Sequence, residues 1–130
     1  MMMRLAVIIL MLSAFVCLTP IPALCDTVTY TCRYQSYSDK KGNHKMSEDF
    51  KLVFAVDTSK ETAKTVGSKG TFDVEMLYSP SGGMTFIEMI DGGKVLTTTI
   101  DPSGKSVHSR NIIVEGEILP SQYYGTCSKR

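Results

Sequence analysis

The chain has 130 residues, 43% apolar and 21% charged, with a formal net charge of +1, four cysteines and no tryptophan. That is room for a single domain of ordinary size. Its near neutrality, with Lys and Arg interspersed among Asp and Glu, excludes the clustered positive surface that a nucleic-acid partner needs to displace counterions from phosphate, and equally a basic block for anionic membranes.

Much of the apolar content lies in residues 1–25. Arg4 precedes a largely apolar run from Leu5 to Leu18, followed by Thr19-Pro20-Ile21-Pro22 and the small residue Ala23, the three-part order of a secretory signal peptide. As a transmembrane span the run is short: about 14 residues reach roughly 21 Å against a hydrocarbon core of about 30 Å. Cleavage is expected after Cys25, because Asp26 as first residue leaves an even number of cysteines for an oxidising compartment. Leu24 does not suit the small residue that precedes a lipidated cysteine. Residues 26–130 then read as one domain, periplasmic or secreted, and loss of Arg4 leaves thirteen basic residues against thirteen acidic ones.

Cys32 and Cys127 sit near the two ends of that domain, and one disulfide between them is expected. Redox catalysis favours a close Cys-x-x-Cys pair and metal binding wants further Cys or His at ligand spacing; neither is present, so no metal or cofactor is expected.

Val28, Tyr30, Cys32 and Tyr34 alternate with Thr27, Thr29, Thr31 and Arg33, which predicts a half-buried strand with Cys32 on its apolar face. Lys40, Lys41 and Lys45 around His44 read as a solvated loop. Phe50, Leu52, Phe54 and Val56 repeat the alternation as far as Asp57-Thr58-Ser59. Thr62 to Val66 buries little but ends at a turn signal, Gly67-Ser68-Lys69-Gly70. Phe72, Val74, Met76 and Tyr78 face away from Thr71, Asp73 and Glu75, giving a core side and a wet side. Ser79-Pro80-Ser81-Gly82-Gly83 turns the chain into Met84–Ile90, charged only at Glu88, and Asp91-Gly92-Gly93 supplies a tight hairpin. Lys94–Ile100 carries three threonines suited to a pleated surface.

Asp101-Pro102-Ser103-Gly104 is a turn with Pro second and Gly fourth, and Lys105–Arg110 returns from it. Ile112–Leu119 is the last predicted strand, interrupted at Glu115-Gly116-Glu117 and ended by Pro120. About eight short strands without helical periodicity predict an all-β fold: an antiparallel barrel or sandwich of about eight strands, mostly up-and-down, with one disulfide.

No catalytic residue is assigned. Ser109 beside His108 on a strand points to the opposite face, and no Gly-x-Ser-x-Gly elbow is present. Asp73 with Glu75, and Glu115 with Glu117, are explained by solvent-facing alternation. The expected function is non-enzymatic binding. Met76, Met84, Phe86 and Met89 are candidates to line a small apolar cavity, as in lipocalin-like carriers. His108, Arg110, Tyr123 and Tyr124 are candidate surface contacts, because tyrosine offers large, rigid contact area; packing of the two tyrosines against the disulfide is their structural alternative. A structural role in the envelope is a third expectation.

The opening Val28-Thr29-Tyr30-Thr31-Cys32, the strand count and the partner cysteine near the end resemble the small periplasmic inhibitors of c-type lysozyme. That resemblance implies an eight-stranded antiparallel barrel that places a Ser-Gly-x-x-Tyr loop in the lysozyme cleft. Ser81-Gly82-Gly83-Met84-Thr85, preceded by Ser79-Pro80, stands at that loop, with Thr85 and then Phe86 where the tyrosine belongs; it marks Ser79, Ser81, Gly82 and Gly83 as the candidate partner-binding loop and lysozyme as the candidate partner. Gln122-Tyr123-Tyr124-Gly125-Thr126-Cys127, with Val107-His108-Ser109-Arg110, is also similar to small uncharacterised exported proteins of Gram-negative bacteria, a resemblance that implies no activity.

Overall fold

In the computed structural model, which describes residues 26–130, the chain forms eight strands and no helix. They are β1 (Thr27–Asp39), β2 (Gly42–Asp57), β3 (Thr62–Gly67), β4 (Gly70–Ser79), β5 (Gly83–Ile90), β6 (Lys94–Ile100), β7 (Lys105–Val114) and β8 (Glu117–Lys129). Each pairs antiparallel with its sequence neighbour and β8 returns to β1, which closes the barrel. The choice between barrel and sandwich is thereby resolved. Closure leaves no free pair of edges along the ring, the usual liability of an antiparallel sheet. The expected signal peptide and its cleavage site lie outside the described residues. Among those residues no helix is long and apolar enough to cross a membrane, which does not bear on crossing by strands.

The period-two pattern carries through to the interior as rows of paired residues. One row runs His44, Tyr37, Tyr123, His108, Thr98, Phe86, Met76 across seven strands, and the next runs Phe50, Tyr34, Gly125, Ser106, Ile100, Met84, Tyr78. Cys32, Tyr34, Phe54 and Phe86 have no exposed surface, and Val56, Ala63 and Ile100 complete the buried apolar core. Phe54 and Phe86 stack across the barrel with ring centroids 4.2 Å apart and planes 11° from parallel. Cys32 pairs directly opposite Cys127 and is disulfide-bonded to it, fastening the β1–β8 seam.

Three sequence expectations change. The loop around His44 is instead a hairpin: β1 and β2 continue to a turn at Lys40-Lys41, where the Lys41 backbone N–H donates to Asp39 Oδ1 at 2.8 Å. A bulge at Gln35, where the register shifts between Tyr34 and Ser36, reverses the side-chain alternation and places Tyr37 on the same face as Tyr34. The interruption at Glu115-Gly116 is the β7–β8 turn, with φ of 52° and 83° at the two residues. Pro120 does not end the last strand. It lies within β8 opposite Asn111, beyond the last β1 pair, Asp39 with Ser121, so its missing N–H is not needed on that side.

Strand lengths are unequal. β2 meets β3 only from Phe54 to Asp57, and β7 meets β6 only as far as Asn111. The order β2–β1–β8–β7 therefore rises past the closed ring as a wall, one face of which continues the barrel interior.

Candidate functional site

The barrel has two ends, and the candidate residues divide between them. At the end where β1 begins and β8 finishes, the turns Ser79–Gly83 and Asp101–Gly104 stand side by side. The first is closed by Gly82 N–H donating to Ser79 O at 3.0 Å, with Ser79 Oγ and Ser81 Oγ 2.8 Å apart. A β-carbon on Gly83 would lie 2.7 Å from Ile100 O, so the close approach of the two turns requires glycine. In the second turn Asp101 Oδ1 accepts from the Ser103 and Lys105 backbone N–H groups, each at 2.9 Å. The Ser103 hydroxyl, also donating to Asp101, holds that carboxyl below its ordinary value. Together the turns frame an open cleft of about 420 Å³ with Tyr30, Met84 and Lys129 in its lining.

At the opposite end the inner face of the wall carries a ladder of rings. His44 stacks on Tyr37 at 4.7 Å and Tyr37 on Tyr123 at 5.5 Å, each between cross-strand partners. His44 Nε2 lies 2.9 Å from Asp39 Oδ1, and this bond, ahead of the Lys41 N–H, lowers the Asp39 pKa. Tyr123 also meets Phe50 at 5.2 Å and His108 at 5.9 Å. Arg110 Nη1 donates to Tyr123 Oη at 3.3 Å, and its guanidinium carbon is 5.9 Å from the Tyr123 ring centroid. Beside these residues Ile112, Leu119 and Pro120 complete a cleft of about 400 Å³.

His108 is not a surface contact. It is 1% exposed, because its face of β7 is the inner one, and Nδ1 lies 2.8 Å from Thr98 Oγ1 among the rings of Tyr34, Phe50 and Tyr123. Burial first, and the charge of Arg110 second, push its pKa down to about 4, so the imidazole is neutral at pH 7. The adjacent tyrosines separate by alternation. Tyr123 turns inward to the aromatic ladder, whereas Tyr124 turns outward, donating to Gln122 Oε1 at 3.0 Å and lying 3.0 Å from Ser38 Oγ. Arg110, Tyr123 and the buried His108 are therefore brought together on the inner face, and Tyr124 alone is directed elsewhere.

The four residues expected to line an apolar cavity also separate. Met76 and Met84 pack against the core and Phe86 is within it, but Met89 lies on the outer face and is 71% exposed. Glu88, two residues from Phe86 and so on the inner face, is half-buried; burial raises its pKa, opposed by a hydrogen bond with Thr65. Asp73 is exposed and ion-paired with Lys64 at 2.6 Å. Among the described residues no group of three or more His, Cys, Asp or Glu side chains is placed to hold a metal ion.

Sequence reasoning missed Tyr37, His44 and Asp39 as a unit. The available signal was Asp39-Lys40-Lys41-Gly42, which has the Asp-first, Gly-fourth form of Asp101–Gly104 and places a turn where the lysine-rich segment suggested a loop. Comparison with protein-family models, with curated proteins and with solved structures found no match to this chain.

Proposed function

We propose that this chain is an exported, non-catalytic binding protein that engages its ligand at an end of the barrel. The observation that carries this reading is where space remains: Phe54 and Phe86 stack within the barrel with no exposed surface, whereas both ends open into clefts lined by polar and apolar groups. The two histidines are engaged with Asp39 and Thr98, within the fold. Export is supported by the Cys32–Cys127 disulfide, a bond that persists in oxidising compartments. The test is recovery of the tagged protein from its native envelope or extracellular fluid, followed by mass spectrometry of what accompanies it. Two variants accompany the wild type, one altered at Arg110 and one at Ser81 and Gly82. A companion lost from one variant supports the reading. Association with the cell wall that is unaffected by either, with no other companion, favours a structural role and defeats it.

A second reading, inhibition of c-type lysozyme, is favoured by one feature. The Ser79–Gly83 turn stands at an open end of the barrel beside Asp101–Gly104, in a position to enter an enzyme cleft. A lytic assay tests it directly: micromolar protein lowers the rate, and replacing Ser81 and Gly82 together removes the effect. Unchanged lysozyme activity at that concentration sinks this reading.

A further inference from the structure

We propose that the inner face of the extended wall binds an amphiphilic carboxylate, with Arg110 holding the head group and Ile112 and Leu119 receiving a hydrocarbon tail. The inference rests on the binding reading above and assigns its ligand class. Its first support is the state of Arg110. This guanidinium is only partly exposed, yet among the described residues no carboxylate lies within ion-pair distance of it; its polar contact is the single bond to Tyr123 Oη. Guanidinium offers five donors in a planar fork that matches a carboxylate with two parallel bonds. The bond and ring contact with Tyr123 fix the orientation of that fork and leave further donors for a ligand.

The second support is the balance of charge around the cleft. Lys40 and Lys41 stand at its rim with Arg110 inside it. Of the two acids in the lining, Asp39 is committed to His44 and to the Lys41 backbone N–H. Glu117 is exposed, opposite Val114 at the far tip of the β7–β8 hairpin, while Arg110 pairs lower down with Ser121. The lining therefore carries three basic residues, Lys40, Lys41 and Arg110, against two acids, a small formal excess of positive charge.

The third support is apolar surface beside this charge. Ile112 and Leu119 are cross-strand partners on the inner-facing side of the hairpin, beyond the point where β6 pairs with β7. Leu119 is exposed, and Pro120 next to it in sequence also borders the cleft. A cleft of about 400 Å³ holds a short chain against these residues with its charged end at Arg110. A free anion without a tail leaves these apolar side chains in water, and an uncharged chain leaves the arginine unpaired.

The experiment is amide NMR titration of the purified protein with decanoate, decanol and acetate, each kept below any aggregation threshold. Decanoate is expected to shift amides of residues 37–41 and 110–123, and to bind about tenfold or more tightly than either decanol or acetate. Arg110→Gln is expected to reduce decanoate to the level of decanol while keeping the wild-type spectral dispersion. Leu119→Ser, at an exposed position that folding tolerates, supplies a second variant and weakens decanoate. Binding that is indifferent to Arg110, that maps to the Ser79–Gly83 end, or that is equal for decanoate and decanol overturns the proposal. A natural companion released by Arg110→Gln but not displaced by decanoate overturns the ligand class and leaves the binding reading intact. No natural companion, with decanoate bound as described, supports the ligand class and counts against a protein partner.

Discussion

The hydroxyl of Tyr34 lies 2.9 Å from Oγ of Ser106, although two strand boundaries separate them and Gly125 stands between them in the same row. The missing side chain of Gly125 is what lets the bond span the seam. It also serves the backbone, since a β-carbon there would collide with the carbonyl oxygen of Arg33 and crowd the Tyr34 α-carbon. Tyr34 is fully buried and Ser106 nearly so, and burial raises the tyrosine pKa, so the phenol stays protonated.

Gly125→Ala is accordingly expected to destabilise by about 4 kcal/mol or more, because backbone on β1 must move and a closed barrel has little freedom to move it. Tyr34→Phe removes only the bond and leaves Ser106 without that partner, at a cost of about 1 to 3 kcal/mol. Urea unfolding of both variants checks the ranking. Equal effects would mean that the hydrogen bond, and not the close approach, dominates at this seam.

The disulfide joins residues 95 apart at the strand pair that closes the barrel. In the chain-entropy description a loop of that length gives about 4 to 5 kcal/mol, by limiting the unfolded chain. Cys32→Ala with Cys127→Ala is expected to lower unfolding free energy by that order while the circular dichroism of any folded fraction stays unchanged. A double variant as stable as the wild type would show that hydrogen bonds along β1–β8 close the barrel unaided.

The strand number and the seam were legible because alternation runs through much of β1, β2 and β4 and because the cysteines lie near the two ends of residues 26–130. The wall was not, for three local reasons. The Gln35 bulge reverses the alternation, so Tyr37 sits on the inner face where continued period two would put Ser36 and Ser38. Glu115 takes a left-handed conformation that its residue type does not announce. Pro120 occupies a strand position whose β1-facing side is empty, which sequence alone cannot distinguish from a strand end. The bulge turns Tyr37 onto Tyr123, whereas ordinary alternation along β7 is enough to place His108 inward.

Acid is expected to weaken the fold through His108. Its folded pKa is near 4 and its ordinary value 6.5, so between those values the unfolded chain binds a proton that the folded chain refuses. The contribution is therefore fully present above about pH 6.5 and is lost as pH falls toward 4, amounting to about 2 kcal/mol by pH 5. Glu88 acts in the opposite sense: its raised pKa favours the folded state at low pH, and that contribution is lost as pH rises through the raised value. Asp39, Asp57 and Asp101, all lowered, lose their contributions only as pH falls through values below 3.8. His108→Gln keeps a partner for Thr98 without a titrating group, so its stability should fall less between pH 7 and pH 5. Parallel pH dependences for variant and wild type, measured by urea unfolding, would rule His108 out as the source.

The pair Phe86 and Met89 tests whether ligand space lies inside the barrel or at its ends. Both were candidates to line one cavity, yet an odd spacing on a strand sends them to opposite faces: Phe86 has no exposed surface and stacks on Phe54, while Met89 is largely exposed. Phe86→Ala is expected to cost about 3 to 5 kcal/mol, from lost burial together with the void left beside Phe54. Met89→Ala should change stability by no more than about 0.5 kcal/mol. The Phe86 void would be apolar, and an apolar void of that kind takes up small aromatic molecules. Benzene is therefore expected to raise the melting temperature of Phe86→Ala and to leave the wild type unchanged. If benzene stabilises both equally, the wild-type interior already has room for a ligand, and the binding site belongs inside the barrel after all.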